Sequence, residues 1–140
     1  MAKASRRHGR ENALQVLFQM DGGGVDWEAT AALDSFFANF DHVQSVRAFT
    51  CQLVQGVAEH RAEIDGRIVQ TSTQWRLERM SSVDRNLLRL GVFELLYCPD
   101  VPTSVVINEA VEIARRYGAE TSPGFVNGVL DEVARAVRSA

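Results

Sequence analysis

The chain has 140 residues, 46% of them hydrophobic, which fits one domain with a real core. No apolar run approaches the roughly 18 residues of a membrane span, and no apolar stretch follows the charged N-terminus, so neither a membrane protein nor a secretory leader is expected and a cytoplasmic location is. The formal charge of −3 hides an asymmetry: residues 1–10 carry +4 from Lys3, Arg6, Arg7 and Arg10, the rest carry −7, and the cations are 14 arginines against one lysine.

A first helix is predicted to start between Ser5 and Arg10 and to run to Met20. Ala13, Leu14, Leu17 and Phe18 form its apolar stripe, with Val16 and Met20 at the margin. Asp21-Gly22-Gly23-Gly24 ends it. Asp26 is the expected N-cap of a second helix bearing Trp27, Leu33, Phe36, Phe37 and Phe40. Asp41 opens a third, with Val43, Val46, Phe49, Leu53 and Val57 in register. A shorter fourth, around Ala62 to Thr71, carries Ile64 and Ile68. Trp75 to Met80 then links to a fifth helix. Ser81 or Ser82 caps it, and Ser81 with Asp84 resembles a capping box. Val83, Leu87, Leu90 and Phe93, with Leu88, Leu95 and Tyr97, make this the most apolar helix, expected at the centre of the core. Pro99 stops it.

The stretch from Pro102 to Asp131 predicts a helix pair. Pro102 sits at or just before a helix start, where its missing N–H costs nothing. Val106, Ala110, Ile113, Ala114 and Tyr117 share one face, and Gly118 follows where a left-handed C-cap is wanted. Ser122-Pro123 reads as an N-cap followed by proline at the first helical position. Val126, Val129, Leu130, Val133 and Val137 form the last stripe. The short link predicts an antiparallel or steeply crossed hairpin. The expectation is an all-α fold of about seven helices, with residues 1–140 as a single domain.

Few residues carry chemistry. Arg6 and Arg10 lie one turn apart and point the same way on a helix, flanked by Arg7 and His8. Such a cluster is either a solvated terminus or a nucleic-acid contact, and arginine's planar fork suits phosphate and base edges. On an acidic body that contact must be short, or a basic partner must cover the acidic surface. The glycine run has no preceding strand and no lysine, so it is a turn rather than a phosphate loop. His8, His42 and His60 share no ligand spacing, and Cys51 and Cys98 form no C-x-x-C, so no metal site or cofactor is expected and the thiols read as reduced. Asn108, Glu109 and Glu112 are near one another but no nucleophile or metal set accompanies them, which favours a surface or inter-helix hydrogen-bond role. Tyr117 and Phe125 flank the last helix junction, where free backbone N–H groups meet an anion and an aromatic can stack a base. They can equally close the hairpin.

The residues resemble the NusB family of bacterial transcription antitermination factors over nearly the whole chain. Four blocks carry the resemblance: R-R-H-G-R-E-N-A-L-Q-V-L-F-Q-M-D at 6–21, W-R-L-E-R-M at 75–80, D-R-N-L-L-R-L-G-V-F-E-L-L at 84–96, and the Pro102–Asp131 stretch with I-N-E-A and F-V-N-G-V-L-D. The resemblance implies two packed helical subdomains and no catalysis. It implies binding to boxA RNA of ribosomal-RNA transcripts together with the ribosomal protein NusE, in an RNA polymerase complex with other Nus factors. By position, Arg6, Arg7 and Arg10 match the arginine-rich motif for phosphate and base contacts. Tyr117, Ser122 and Phe125 match an RNA-facing edge. Asp84, Arg85 and Arg89 start a helix that faces RNA and NusE, with Asp84 on the partner side. Phe18 stands where relatives often have tyrosine and keeps the ability to stack. Thr121 replaces an acid found in some relatives. Asn108, Asn127 and Gly128 are read as structural. Some relatives form homodimers that cover the arginine motif, and a homodimer here would be autoinhibitory.

Two other readings stand beside this one. The same module occurs at the N-terminus of a ribosomal-RNA cytosine methyltransferase, which needs an α/β nucleotide-binding domain and a catalytic cysteine that residues 1–140 lack. A protein-only helical adaptor would not touch RNA. The helix-junction edge and the Arg6–Arg10 tip are expected to converge on one face.

Overall fold

The computed structural model describes residues 3–22, 27–38, 43–74 and 76–138, with side chains from Ser5 onward. Among these residues the order is α1 (Lys3–Gly22), α2 (Ala29–Ala38), α3 (Gln44–Glu59), α4 (Arg61–Thr71), a 3-10 turn (Leu77–Arg79), α5 (Ser82–Tyr97), α6 (Thr103–Tyr117) and α7 (Ser122–Val137), with no strand. The expected caps Asp26 and Asp41 lie outside the described residues, as do Gly23, Gly24, Phe40, His42 and Trp75.

α5 is the axis. It packs against α1, α3, α4, α6 and α7, while α2 packs on α1 and α3. Ten consecutive residues from Asn86 to Leu95 are buried, the pattern of a helix covered all round. Its start is as predicted: Ser81 Oγ accepts the Asp84 N–H at 3.1 Å. Close approach decides several glycines. A Cβ at Gly9 would lie 2.6 Å from the Phe49 ring, and one at Gly56 would lie 2.2 Å from the Phe93 ring. Side chains there would press α1 against α3 and α3 against α5 to less than contact distance.

Two sequence expectations change. In α1 the buried apolar stripe is Ala13, Leu14, Val16, Leu17 and Met20, whereas Phe18 is 46% exposed. Ala13, Val16, Leu17 and Met20 are the i, i+3, i+4, i+7 series, so helical period rather than side-chain size decides burial. At the α6–α7 junction, Gly118 has φ −94° and extended backbone instead of a left-handed cap. Glycine is needed for space: a Cβ would lie 2.6 Å from Ser122 and 2.8 Å from the Ala114 carbonyl oxygen. Ser122 is the first residue of α7, and its Oγ accepts the Ala119 N–H at 2.9 Å, so it closes the loop rather than capping the helix.

Candidate nucleic-acid interface

Arg6 and Arg10 share one side of α1, both over the Phe49 ring, and Arg7 turns away from it. Arg6 rests on the Phe49 ring of α3, its guanidinium carbon 4.9 Å from the ring centre. Arg7 turns the other way and donates Nε and Nη2 to the two carboxylate oxygens of Glu109 on α6, at 3.0 and 2.6 Å. Arg10 faces inward. It donates Nε and Nη2 to Glu94 of α5 at 2.9 and 2.8 Å and lies 3.7 Å from Glu109. Burial by itself lowers the Arg10 pKa, but the Glu94 and Glu109 carboxylates outweigh it and the net shift is upward. Arg10 is 4% exposed, so its expected contact with phosphate is replaced by an interior ion pair.

Arg85 and Arg89 are also engaged inside the protein. Arg85 donates to Asp21 Oδ2 at 2.7 Å and to the Leu77 and Met80 carbonyl oxygens at 3.1 and 2.9 Å. Arg89 forks onto Asp65 at 2.8 and 3.1 Å, donates to Asn86 Oδ1, and lies over the Trp27 ring at 4.9 Å. Arg89 also lies 3.5 Å from Asp21 Oδ2, so Asp21 is held by both arginines. Its desolvation pushes its pKa up, but the Arg85 hydrogen bond and the arginine charges prevail and lower it. Arg89 at 5% and Ser122 at 1% exposure are too covered for RNA contact as the chain stands, which corrects both assignments.

The exposed aromatics do come together. Phe18 and Tyr117, 46% and 48% exposed, border one hollow of about 690 Å³ between α1, the start of α5 and the end of α6. Asn12 and Gln15 also line it, over an apolar floor of Leu14 and Val83. Beside it, Arg7, Arg115 and Arg116 surround Glu11 and Glu112 in a second cleft. Arg116 joins the two: it donates to Glu11 at 3.3 Å and its guanidinium lies 5.5 Å from the Tyr117 ring. A further hollow holds Phe125 with Arg79, Ser81, Asp84 and Thr121. Val83 borders the first hollow and Asp84 this one, so the two flank the first turn of α5. The end of α6 and the α1 helix therefore share a face.

A NusB family model matches residues 7–135. The transcription antitermination protein NusB of Anaeromyxobacter dehalogenans is 50% identical, with 96% of this chain and 94% of that protein covered. That of Geotalea uraniireducens is 46% identical, with 94% of each covered. The chain belongs to the NusB family. Among solved structures, T. maritima NusB superimposes with a TM-score of 0.82 at 36% identity, covering 93% of this chain and 90% of that one. A crystal structure of antitermination factors NusB and NusE in complex with dsRNA gives 0.82 at 27% identity, covering 96% and 99%. The fold is the NusB fold, and the chain is a NusB transcription antitermination factor rather than an enzyme.

The geometry adds candidate residues that the motifs did not single out. Arg115 and Arg116 were visible as the R-R before Tyr117, and their position in the last turn of α6 was the available signal. Asn12 is 6% exposed and its Nδ2 has no hydrogen-bond partner; nothing in the sequence marks that. Asn108, Asn127 and Gly128, read as structural, lie exposed on α6 and α7. Of the surface and inter-helix roles left open for its cluster, Glu109 takes the inter-helix one. Cys51 and Cys98 are free, and burial pushes both thiols up, away from nucleophilic chemistry. Among the described residues no group of three His, Cys, Asp or Glu side chains can hold a metal, and no helix is long and apolar enough to cross a membrane.

Proposed function

We propose that residues 1–140 act as one cytoplasmic RNA-binding domain that takes boxA RNA of ribosomal-RNA transcripts jointly with ribosomal protein NusE. The pair then joins RNA polymerase and other Nus factors to keep transcription processive. The observation that carries this reading is the placement of exposed Phe18 and Tyr117 in one hollow beside the Arg7–Arg115–Arg116 cleft. Stacking aromatics next to a cationic rail are what an unstructured RNA strand requires. The solved NusB–NusE–dsRNA complex supports the choice of ligand and partner class.

Direct RNA contacts are assigned to Arg6, Arg7, Phe18, Tyr117 and Phe125, with Arg115 and Arg116 added. Arg10, Arg85 and Arg89 act by holding α1 and the start of α5 in place, and Ser122 by closing the junction. Asp84 is assigned to the partner: its carboxylate lines a hollow beside Phe125 and suits a cation of a basic protein. The test is a gel shift of boxA RNA against a scrambled strand, with and without NusE. A selective shift that NusE tightens is expected. No selective shift in either condition overturns the proposal in favour of a protein-only adaptor.

A further inference from the structure

Asn12 is out of place in a well-satisfied interior. Among the described residues only two covered side-chain polar atoms lack a hydrogen-bond partner, Asn12 Nδ2 and Asp84 Oδ1. A covered amide donor left unmade is costly to the free protein. The same side chain lines the hollow bordered by Phe18 and Tyr117, whose floor is Leu14 and Val83. With the two rim aromatics these give the hollow its apolar surface, and His8, Glu11, Gln15 and Gln19 line it beside Asn12. Apolar surface with a few polar groups is the make-up of a pocket that orients a flat, partly polar ligand.

The geometry points to Asn12 as the residue that reads one nucleobase. A single unstacked base of the RNA strand enters this hollow, stacks on Phe18 or Tyr117, and presents an acceptor on its edge to the Asn12 amide. The inference rests on the RNA-binding reading above and deepens it by naming a base pocket and its specificity residue. Three observations choose a base over an apolar side chain of a protein. The unmade donor calls for an acceptor. Both rim aromatics are nearly half exposed, as stacking requires. The neighbouring Arg7, Arg115 and Arg116 cleft lies where the phosphates on either side of a buried base would run. The Asn12 nitrogen is itself covered, so the amide meets the base after turning about its terminal torsion, which is broad and soft.

The experiment measures binding of the full chain, with NusE, to a boxA RNA and to a set of strands each altered at one base. Wild type, Asn12→Leu and Asn12→Asp are compared. Asn12→Leu removes the unmade donor at nearly constant shape, so it is expected to fold and to melt at the same temperature or higher. It is expected to lose about 5- to 100-fold of discrimination at one base position, the size of a base-edge contact, and little elsewhere. Asn12→Asp exchanges donor for acceptor and is expected to change which base is preferred at that same position. If both variants bind every strand as wild type does, or weaken all strands equally, Asn12 is not a reading residue and the inference falls while RNA binding stands. If Asn12→Leu alters only the affinity for NusE, the hollow serves a protein and the inference also falls. If wild type shows no selectivity at all, the RNA-binding reading fails first and takes this one with it.

Discussion

Arginines in this protein occupy two contrasting regions. Around α5 they are buried and spent on carboxylates: Arg10 on Glu94, and Arg89 on Asp65, with side-chain exposures of 5% and 6%. At the end of α6 they are open, with Arg115 at 62% and Arg116 at 68% exposure and only long contacts to Glu112 and Glu11. A guanidinium held by a fork of two short bonds in a dry site is a structural pin, because releasing it would strand two charges. One held at 3.3 Å or more in water is loosely committed, because exposed pairs are worth about 0–1 kcal/mol. The contrast separates arginines that hold the face in shape from those free to trade a carboxylate for a phosphate.

The largest effect should come from breaking a pin. Arg10→Met leaves Glu94 buried without its fork, and a broken buried pair costs about 3–5 kcal/mol. Urea unfolding should show that loss, and adding Glu94→Gln in the same chain should restore part of it by removing the stranded charge. If Arg10→Met instead unfolds like wild type yet binds RNA poorly, Arg10 belongs with the open arginines and the contrast breaks.

Arg138 tests the same region with carbonyl partners. It donates to the carbonyl oxygens of Glu94, Leu95, Cys98 and Val101 at 2.6–3.0 Å, closing the C-terminal end of α5 from just beyond α7. Arg138→Ala should cost about 1.5–3 kcal/mol, the range of hydrogen bonds made by a charged group, and should leave the RNA salt dependence unchanged.

A smaller effect belongs to Asp21. Its folded pKa is lowered, so its pairing stabilises the protein fully above the ordinary aspartate range of about 3.9, and that stability is lost as pH falls through the lower folded value. Asp21→Asn removes this dependence. The stability gap between wild type and Asp21→Asn should be widest near neutral pH and close on acidification below about pH 4. A gap that stays constant across that range would mean that hydrogen bonding to Arg85 and Asn86 matters, and the charge does not.

Helix periods and punctuation made most of the fold readable. Most of the i, i+3, i+4 series of α5, α6 and α7 map onto buried residues, with Tyr97 and Tyr117 at the helix ends left exposed, and Ser81 caps α5 as its spacing says. What failed was side-chain fate. Phe18, one turn after Leu14, reads as part of the apolar stripe, yet Leu14 is buried and Phe18 is 46% exposed. Arg6 and Arg10, one turn apart, both lie over Phe49 as their spacing says, but Arg7 is rotated by about 100° from Arg6 and meets Glu109 of α6, and Arg10 reaches inward to Glu94 of α5. Their partners Glu94 and Glu109 are 84 and 102 residues away, and no local pattern announces a pairing at that separation.

The other side of the contrast is tested by the double variant Arg115→Ala/Arg116→Ala. Both side chains are exposed and cover no core, so stability should stay within about 0.5 kcal/mol of wild type. RNA affinity is where these arginines should count. Each phosphate contact on a single strand adds about 0.7 to the log–log slope of affinity against salt, so losing two should flatten it by about 1.4. Removing the arginines also leaves Glu11 and Glu112 uncovered in the cleft, and two bare carboxylates beside the strand repel it at low salt. Affinity lost in low salt with the slope unchanged would assign the effect to that repulsion alone, and the open arginines would no longer be phosphate contacts. A flattened slope with unchanged melting separates binding from holding in a single pair of measurements.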